Sequence, residues 1–184
     1  RQLMHDVGGG RDADNVSMTK SGARWLPGQL GWLWLTALAI ALDQITKHMV
    51  VARFDLFERL EVLPFFNLTL AYNTGAAFSF LAEAGGWQRW FFTLVALGAS
   101  ALILVWLARL RDERLQGAGL ALILAGALGN LYDRIVLGHV VDFLDFHWAG
   151  WHFPAFNLAD TAITIGAGLI ILDMILGGRG RHER

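Results

Sequence analysis

At 184 residues the chain has room for a single domain. With 55% hydrophobic residues, 17% charged residues and a mean hydropathy of +0.44, it is poorer in charge than soluble domains, which carry about 25%, and it reads as an integral membrane protein. Lys and Arg total 15 against 16 Asp and Glu, so no global field points to nucleic acid, and the absence of cysteine excludes disulfides, thiolate nucleophiles and Cys-based zinc sites.

Residues 1–23 are polar and Gly-rich with no apolar run, and are expected to form a disordered tail. Met18 is a candidate native start, residues 1–17 then being an added remnant; the intact mass of protein expressed from its native gene decides that point. A single membrane domain is expected over 24–178, with a basic cytoplasmic tail at 179–184. A helix that crosses a bilayer needs roughly 20 mostly apolar residues. Four segments qualify, at about 30–47, 87–107, 117–137 and 157–176. The first is followed too closely by charge to be a simple secretory signal. Gly117, Gly119, Gly126, Gly129, Gly166 and Gly168 punctuate the third and fourth segments. In lipid such small residues let helix backbones approach closely. Eight Trp and twelve Phe fit aromatic belts at two interfaces.

Arg109, Arg111 and Arg114 lie between the second and third segments, Arg179, Arg181 and Arg184 at the end, and Lys20 and Arg24 before the first. The positive-inside rule then puts both termini in the cytoplasm and the two larger loops outside. In the first outer loop, Val62–Leu63 and Phe65–Tyr72 are rich in strand formers and Asn73-Thr-Gly75 is a turn signal, so a small strand pair is expected. The second outer loop, 138–156, is expected to lie along the surface. The fold class is therefore all-α integral membrane: four transmembrane helices, a small β-rich outer loop and a short surface segment.

Ionisable groups in such segments cost about 2.5–3.5 kcal/mol each on insertion scales and need a reason. Asp43, Lys47, Asn130, Asp133, Arg134, Asp142, Asn157 and Asp160 all fall toward the outer ends of their segments, converging at one depth. Asp43 and Lys47, Asn130 and Arg134, and Asn157 and Asp160 are spaced to share helix faces. Asp133 and Asp142 would point to opposite sides of a continuous helix. Gly138 is expected to end the helix between them, letting Asp142 fold back over the bundle mouth, while Asp133, next to Arg134, suits a structural or charge-partner role. Asp142 sits between Val141 and Phe143, where desolvation would raise its pKa. Two carboxylates meeting in a low-dielectric site share a proton and supply an acid and a base, with no metal or cofactor.

Each group also has a plainer explanation. Asp43 and Lys47 can be an interfacial pair that snorkels, Asn130 and Arg134 a helix-end cap and salt bridge, and Asn157 an N-cap with Asp160 favouring the helix dipole. His139, His147 and His152 are taken as interfacial packing.

The blocks DQITK (43–47), AYNTGAAFSFL (71–81), AGALGNLYDRIVLGHVVDF (125–143) and PAFNLADTAITIG (154–166) resemble, in order, the signature blocks of the signal peptidase II family, from about residue 28 to 176. The resemblance implies an intramembrane aspartic endopeptidase with Asp142 and Asp160 as its catalytic pair. It implies that Asn73, Asn130, Arg134 and Asn157 line the pocket or support the pair, that Asp43 and Lys47 stabilise the site, and that Asp133 is supporting. It also implies cleavage of diacylglyceryl-modified prolipoproteins N-terminal to the lipidated cysteine, contact with membrane lipid, inhibition by globomycin-type cyclic peptides, and a bacterial inner-membrane location with the site near the outer leaflet. Nothing demands more than a monomer. A rhomboid-type serine enzyme needs a GxSx block, and none is recognised here. HExxH and GxGD are absent, and no soluble domain for Ser/Lys chemistry is present. A small transporter would spread its polar residues across the membrane depth rather than gather them at one end.

Overall fold

The computed structural model describes residues 28–75, 86–111 and 113–179. The expected polar tail, residues 180–184 of the basic end and the latter part of the 71–81 block lie outside them. A 3-10 turn at Leu30–Trp32 leads into α1 (Leu33–Val51), followed by β1 (Arg59–Leu63) and β2 (Phe66–Asn73). Then come α2 (Trp87–Arg109), α3 (Arg114–Val136), β3 (Val140–Trp148), β4 (Trp151–His152) and α4 (Leu158–Arg179). α1 runs one turn beyond its expected end at residue 47, and its continuation carries Val50 under the sheet.

Among the described residues, three helices are long and apolar enough to cross a membrane: Trp87–Arg109, Arg114–Val136 and Leu158–Leu176. Their outward faces carry Leu94, Leu102, Ile171 and Met174, each well over half exposed. Water would not tolerate that much open apolar surface, and lipid does. α3 is the most buried of these spans and packs against α1, α2 and α4. Lipid tails are as apolar as Leu, so close packing rather than water exclusion joins these helices. The glycines make that packing possible. A Cβ on Gly126 would collide with the Ala159 carbonyl of α4, and one on Gly166 with Gly119 of α3. Thr36 adds a buried hydrogen bond from α1, its hydroxyl donating to the Ala121 carbonyl at 2.9 Å.

α3 ends at Gly138. The N–H groups of Leu137 and Gly138 both donate to the Asp133 carbonyl, and Gly138 takes φ of +84°, a left-handed value that side chains disfavour. That reversal lets the chain start β3 directly over the bundle.

The segment expected to lie along the surface, 138–156, is built of strands. It forms β3, the strand that joins the outer hairpin to the bundle, in an antiparallel sheet of order β1-β2-β3-β4. The cause is legible in its residues: Val140, Val141, Phe143, Phe146 and Trp148 favour strands as strongly as those of β2. β2 pairs with β3 through Asn67↔Asp145 and Leu68↔Leu144, then, after a bulge, through Ala71↔Asp142 and Asn73↔Val140. Ala149 and Gly150, both with positive φ, make the turn into β4.

Candidate active site

α1 delivers Asp43 and Lys47 one turn apart, and both are buried, at 1% and 2% exposure. The Lys47 ammonium lies 2.8 Å from Asp43 Oδ2 and 2.8 Å from Asp133 Oδ2, and donates to Asn130 Oδ1 at 3.0 Å. Its three protons are thereby used. A snorkelling surface pair is excluded by this burial. Asp43 Oδ1 accepts the Ala159 N–H at 2.9 Å, and Asp133 accepts from the Gln44 amide at 3.0 Å and from the Val141 N–H at 3.3 Å. One ammonium and its two carboxylates thus tie α1, α3, β3 and α4 together. Asp133 pairs with Lys47, not with its sequence neighbour Arg134, because adjacent helical residues point about 100° apart.

Asp142, on β3, is 2% exposed. Its Oδ1 accepts from the Asn157 amide at 2.7 Å and its Oδ2 from the Asn73 amide at 3.1 Å. The Asn157 amide also donates to Asn130 Oδ1 at 3.1 Å, and the Asn130 amide donates to Asp160 Oδ1 at 2.8 Å. An unbroken chain of carboxamides therefore runs from one aspartate to the other. Asn157 is at the same time the N-cap of α4, its Oδ1 accepting the Asp160 N–H at 3.0 Å. Both explanations of Asn157 hold at once, because a carboxamide carries a donor and an acceptor. The neighbouring Phe156 carbonyl accepts the N–H groups of Phe143 and Leu144 at 3.0 and 2.8 Å, so the strand bearing Asp142 is stitched to the start of the helix bearing Asp160.

Charge separates these acids into two pairs. Lys47 faces Asp43 and Asp133. Among the described residues Asp142 and Asp160 accept side-chain hydrogen bonds only from amides, and the charge of Arg134 acts on both. Arg134 donates to the Asn130 carbonyl at 3.3 Å and lies over the Phe92 ring at 5.3 Å. Burial first, and then the Asp160 carboxylate, push the Asp142 carboxyl up to about 7; the Asn73 and Asn157 amides and Lys47 pull against that rise. Asp142 therefore holds a proton where an ordinary aspartate does not, beside a second carboxylate that is half-buried. Such a site can give a proton and take one.

The family model described as Signal peptidase (SPase) II matches residues 35–176. The chain belongs to the signal peptidase II family. A lipoprotein signal peptidase of Pseudomonas syringae pv. tomato is 57% identical over 150 residues, covering 80% of this chain and 87% of that one. One from Shewanella pealeana is 53% identical over 157 residues, covering 84% and 92%. Two solved bacterial membrane enzyme structures, obtained by the in meso method, superpose with TM-scores of 0.72 and 0.68. They are 30% and 31% identical, covering 84% and 78% of this chain and 93% and 92% of theirs. A signal peptidase II is a protease, so the polar cluster at the mouth of the bundle sits in an enzyme.

Some side chains match the sequence reading and others depart from it. Gly98-Ala-Ser100-Ala does fit a GxSx block, but Ser100 is buried within α2 and its hydroxyl has no hydrogen-bond partner among the described residues, hence no base beside it. His139 packs on the Tyr72 ring, with centroids 4.0 Å apart. His152 is no mere packing group, since its Nδ1 lies 2.8 Å from Asp145 Oδ1. Asp145, Asn67 and Gln44 were missed. Reading 140–148 as a strand would have exposed Asp145, because alternation buries a charge there.

Proposed function

We propose that this signal peptidase II is an aspartic endopeptidase that removes the signal peptide from diacylglyceryl-modified prolipoproteins, cutting N-terminal to the lipidated cysteine, with Asp142 and Asp160 as its dyad. One observation carries the mechanism. Of the four acids gathered here, Asp43 and Asp133 share the Lys47 ammonium, whereas Asp142 and Asp160 are joined through Asn157 and Asn130 with no ammonium between them. Asp160, the more exposed carboxylate, takes a proton from water as the oxygen adds to the scissile carbonyl carbon. Asp142 gives its proton to the carbonyl oxygen, and collapse of the tetrahedral intermediate expels the amine with a proton returned by the dyad. Asn73 and Asn157 orient Asp142, Asn130 orients Asp160, and Arg134 offsets the negative charge of the pair. Asp43, Lys47 and Asp133 hold the helix ends in place.

The names of the similar lipoprotein signal peptidases support the substrate class. A diacylated cysteine stays in its leaflet, so the reaction belongs at the membrane surface. α1 serves as a fourth span, supported by the outward stripe Trp34, Leu38, Leu42, Ile45 and Met49. The protein is a monomer of the bacterial inner membrane with cytoplasmic termini and an outward-facing site, and globomycin-type inhibitors occupy the space between the aspartates. The test is cleavage of a diacylglyceryl-modified prolipoprotein by wild type, Asp142→Asn and Asp160→Asn, with the unlipidated precursor as control. Both variants are expected to fold and to lose turnover; near-normal cleavage by either sinks the dyad. Because the chain has no cysteine, single cysteines at Ala149 and Arg111 read the topology. Ala149→Cys is expected to label from the periplasm and Arg111→Cys only after permeabilisation.

A further inference from the structure

Asp145 stands three residues beyond Asp142 on β3, which turns it to the opposite face of the strand. It is 3% exposed, a costly place for a carboxylate without partners. Its partners come from every other strand of the sheet. Asn67 of β2 donates to Oδ2 at 3.0 Å, and His152 of β4 donates through Nδ1 to Oδ1 and Oδ2 at 2.8 and 3.1 Å. The Arg59 guanidinium of β1 lies 3.6 Å from Oδ2. Burial alone would raise the Asp145 carboxyl; the hydrogen bonds from His152 and Asn67, with the Arg59 charge, outweigh it and hold the group below the usual carboxylate range.

The position of this knot relative to the dyad gives it a use. Asn67 and Asp145 are register partners across β2 and β3, and Ala71 is the partner of Asp142. Between the two pairings the register shifts, in the bulge from Leu68 to Ala71. A bulge leaves one residue unpaired and weakens the ladder around it. On its inner side the strands are joined by the Asn73 amide on Asp142, and on its outer side by the Asn67 amide on Asp145. A slip of one residue would carry the Asn73 side chain to the other face of the sheet.

We propose that Asp145 is a positioning residue of the peptidase: by accepting hydrogen bonds from β2 and β4 and pairing with the Arg59 charge of β1 it fixes the register of β2 on β3 across the bulge, and so keeps Asn73 on Asp142. This rests on the dyad reading, through which alone it acts, since Asp145 touches neither Asp142 nor Asp160 in the hydrogen-bond network.

The experiment is a double-mutant cycle between Asp145→Ala and Asn73→Ala, with kcat and KM measured on lipidated prolipoprotein and corrected for the folded fraction. Asp145→Ala is expected to lower kcat by about tenfold or more, as for a misplacement remote from the reacting atoms, with KM little changed. In the Asn73→Ala background the same substitution is expected to cost less than about twofold, because the contact it protects is already gone. Should Asp145→Ala fail to fold, Asn67→Ala removes a single donor and is expected to lower kcat about fivefold, again non-additively with Asn73→Ala. Equal losses in both backgrounds, or a loss accounted for by unfolded protein, would overturn the positioning role. Asp142→Asn measured alongside separates the two ideas. Turnover retained there sinks the dyad, whereas an inactive Asp142→Asn with additive Asp145→Ala sinks only this inference.

Discussion

Lys47→Met tests the charge arithmetic of the site most directly. Methionine fills much of the same volume and removes the ammonium that lies 2.8 Å from both Asp43 and Asp133. Two buried carboxylates then face each other with no cation, and the Asn130 Oδ1 acceptor loses a donor. Removing one partner of a buried ion pair costs about 3–5 kcal/mol. On the scale of about 2–4 °C per kcal/mol for domains of 150–250 residues, that is a fall in Tm of roughly 6–20 °C. Thermal unfolding in detergent reads it. Adding Asp43→Asn and Asp133→Asn to Lys47→Met should recover most of the loss, since each asparagine still offers an oxygen, to the Ala159 N–H in one case and to the Gln44 amide in the other. A Lys47→Met protein that melts within about 2 °C of wild type, which is under 1 kcal/mol on that scale, would refute the reasoning. So would a neutral triple variant that stays as unstable as the single one, because the cost would then be shape rather than charge.

Further outcomes follow from the same geometry. The Asp142 carboxyl, pushed up to about 7, keeps its proton below that pH and loses it above, so kcat/KM should fall about tenfold per pH unit on the alkaline side of about 7; a flat profile to pH 9 would contradict it. By linkage the folded state holds that proton while the unfolded chain releases it, so stability should decline from the ordinary aspartate pKa of 3.8 up to about 7, as pH-dependent melting can show. Asn157→Ala removes both the α4 cap, at about 1 kcal/mol, and the shortest donor to Asp142, whereas Asn157→Ser should restore the cap and the Tm but not turnover. Gly126→Leu should part α3 from α4 at Ala159 and lower Tm and activity together, by about 1–3 kcal/mol or more. Gly98→Leu, where a side chain meets open space, is the control expected to do neither.

The apolar runs of α2, α3 and α4 are legible in sequence because lipid imposes one simple demand, backbone hydrogen bonds satisfied within the segment. The β1–β2 hairpin is legible from its strand formers, and Gly138 as a helix stop. β3 is harder to read because two aspartates and a histidine interrupt its apolar residues, so that polarity masks its β-propensity. The convergence of polar residues is visible from spacing, but their pairings are not. Nothing local says that Lys47 chooses Asp133, 86 positions along the chain, or that Asn157 reaches Asp142; these are set by helix approach at Gly129, where a Cβ would stand 2.8 Å from Asp43 Oδ2.

Burial does not tell a structural aspartate from a reactive one here, since Asp133 and Asp142 are 1% and 2% exposed. What differs is the kind of partner. An ammonium brings a full charge that offsets the carboxylate's own and ties it into an ion pair. A carboxamide brings an aligned dipole, which orients the carboxyl without cancelling its charge, so that the proton remains available to chemistry. Asp133 has the first kind, and Asp142 has two of the second. The asparagines at 73, 130 and 157 are thus the means by which two acids are held close in a low-dielectric setting without either being neutralised.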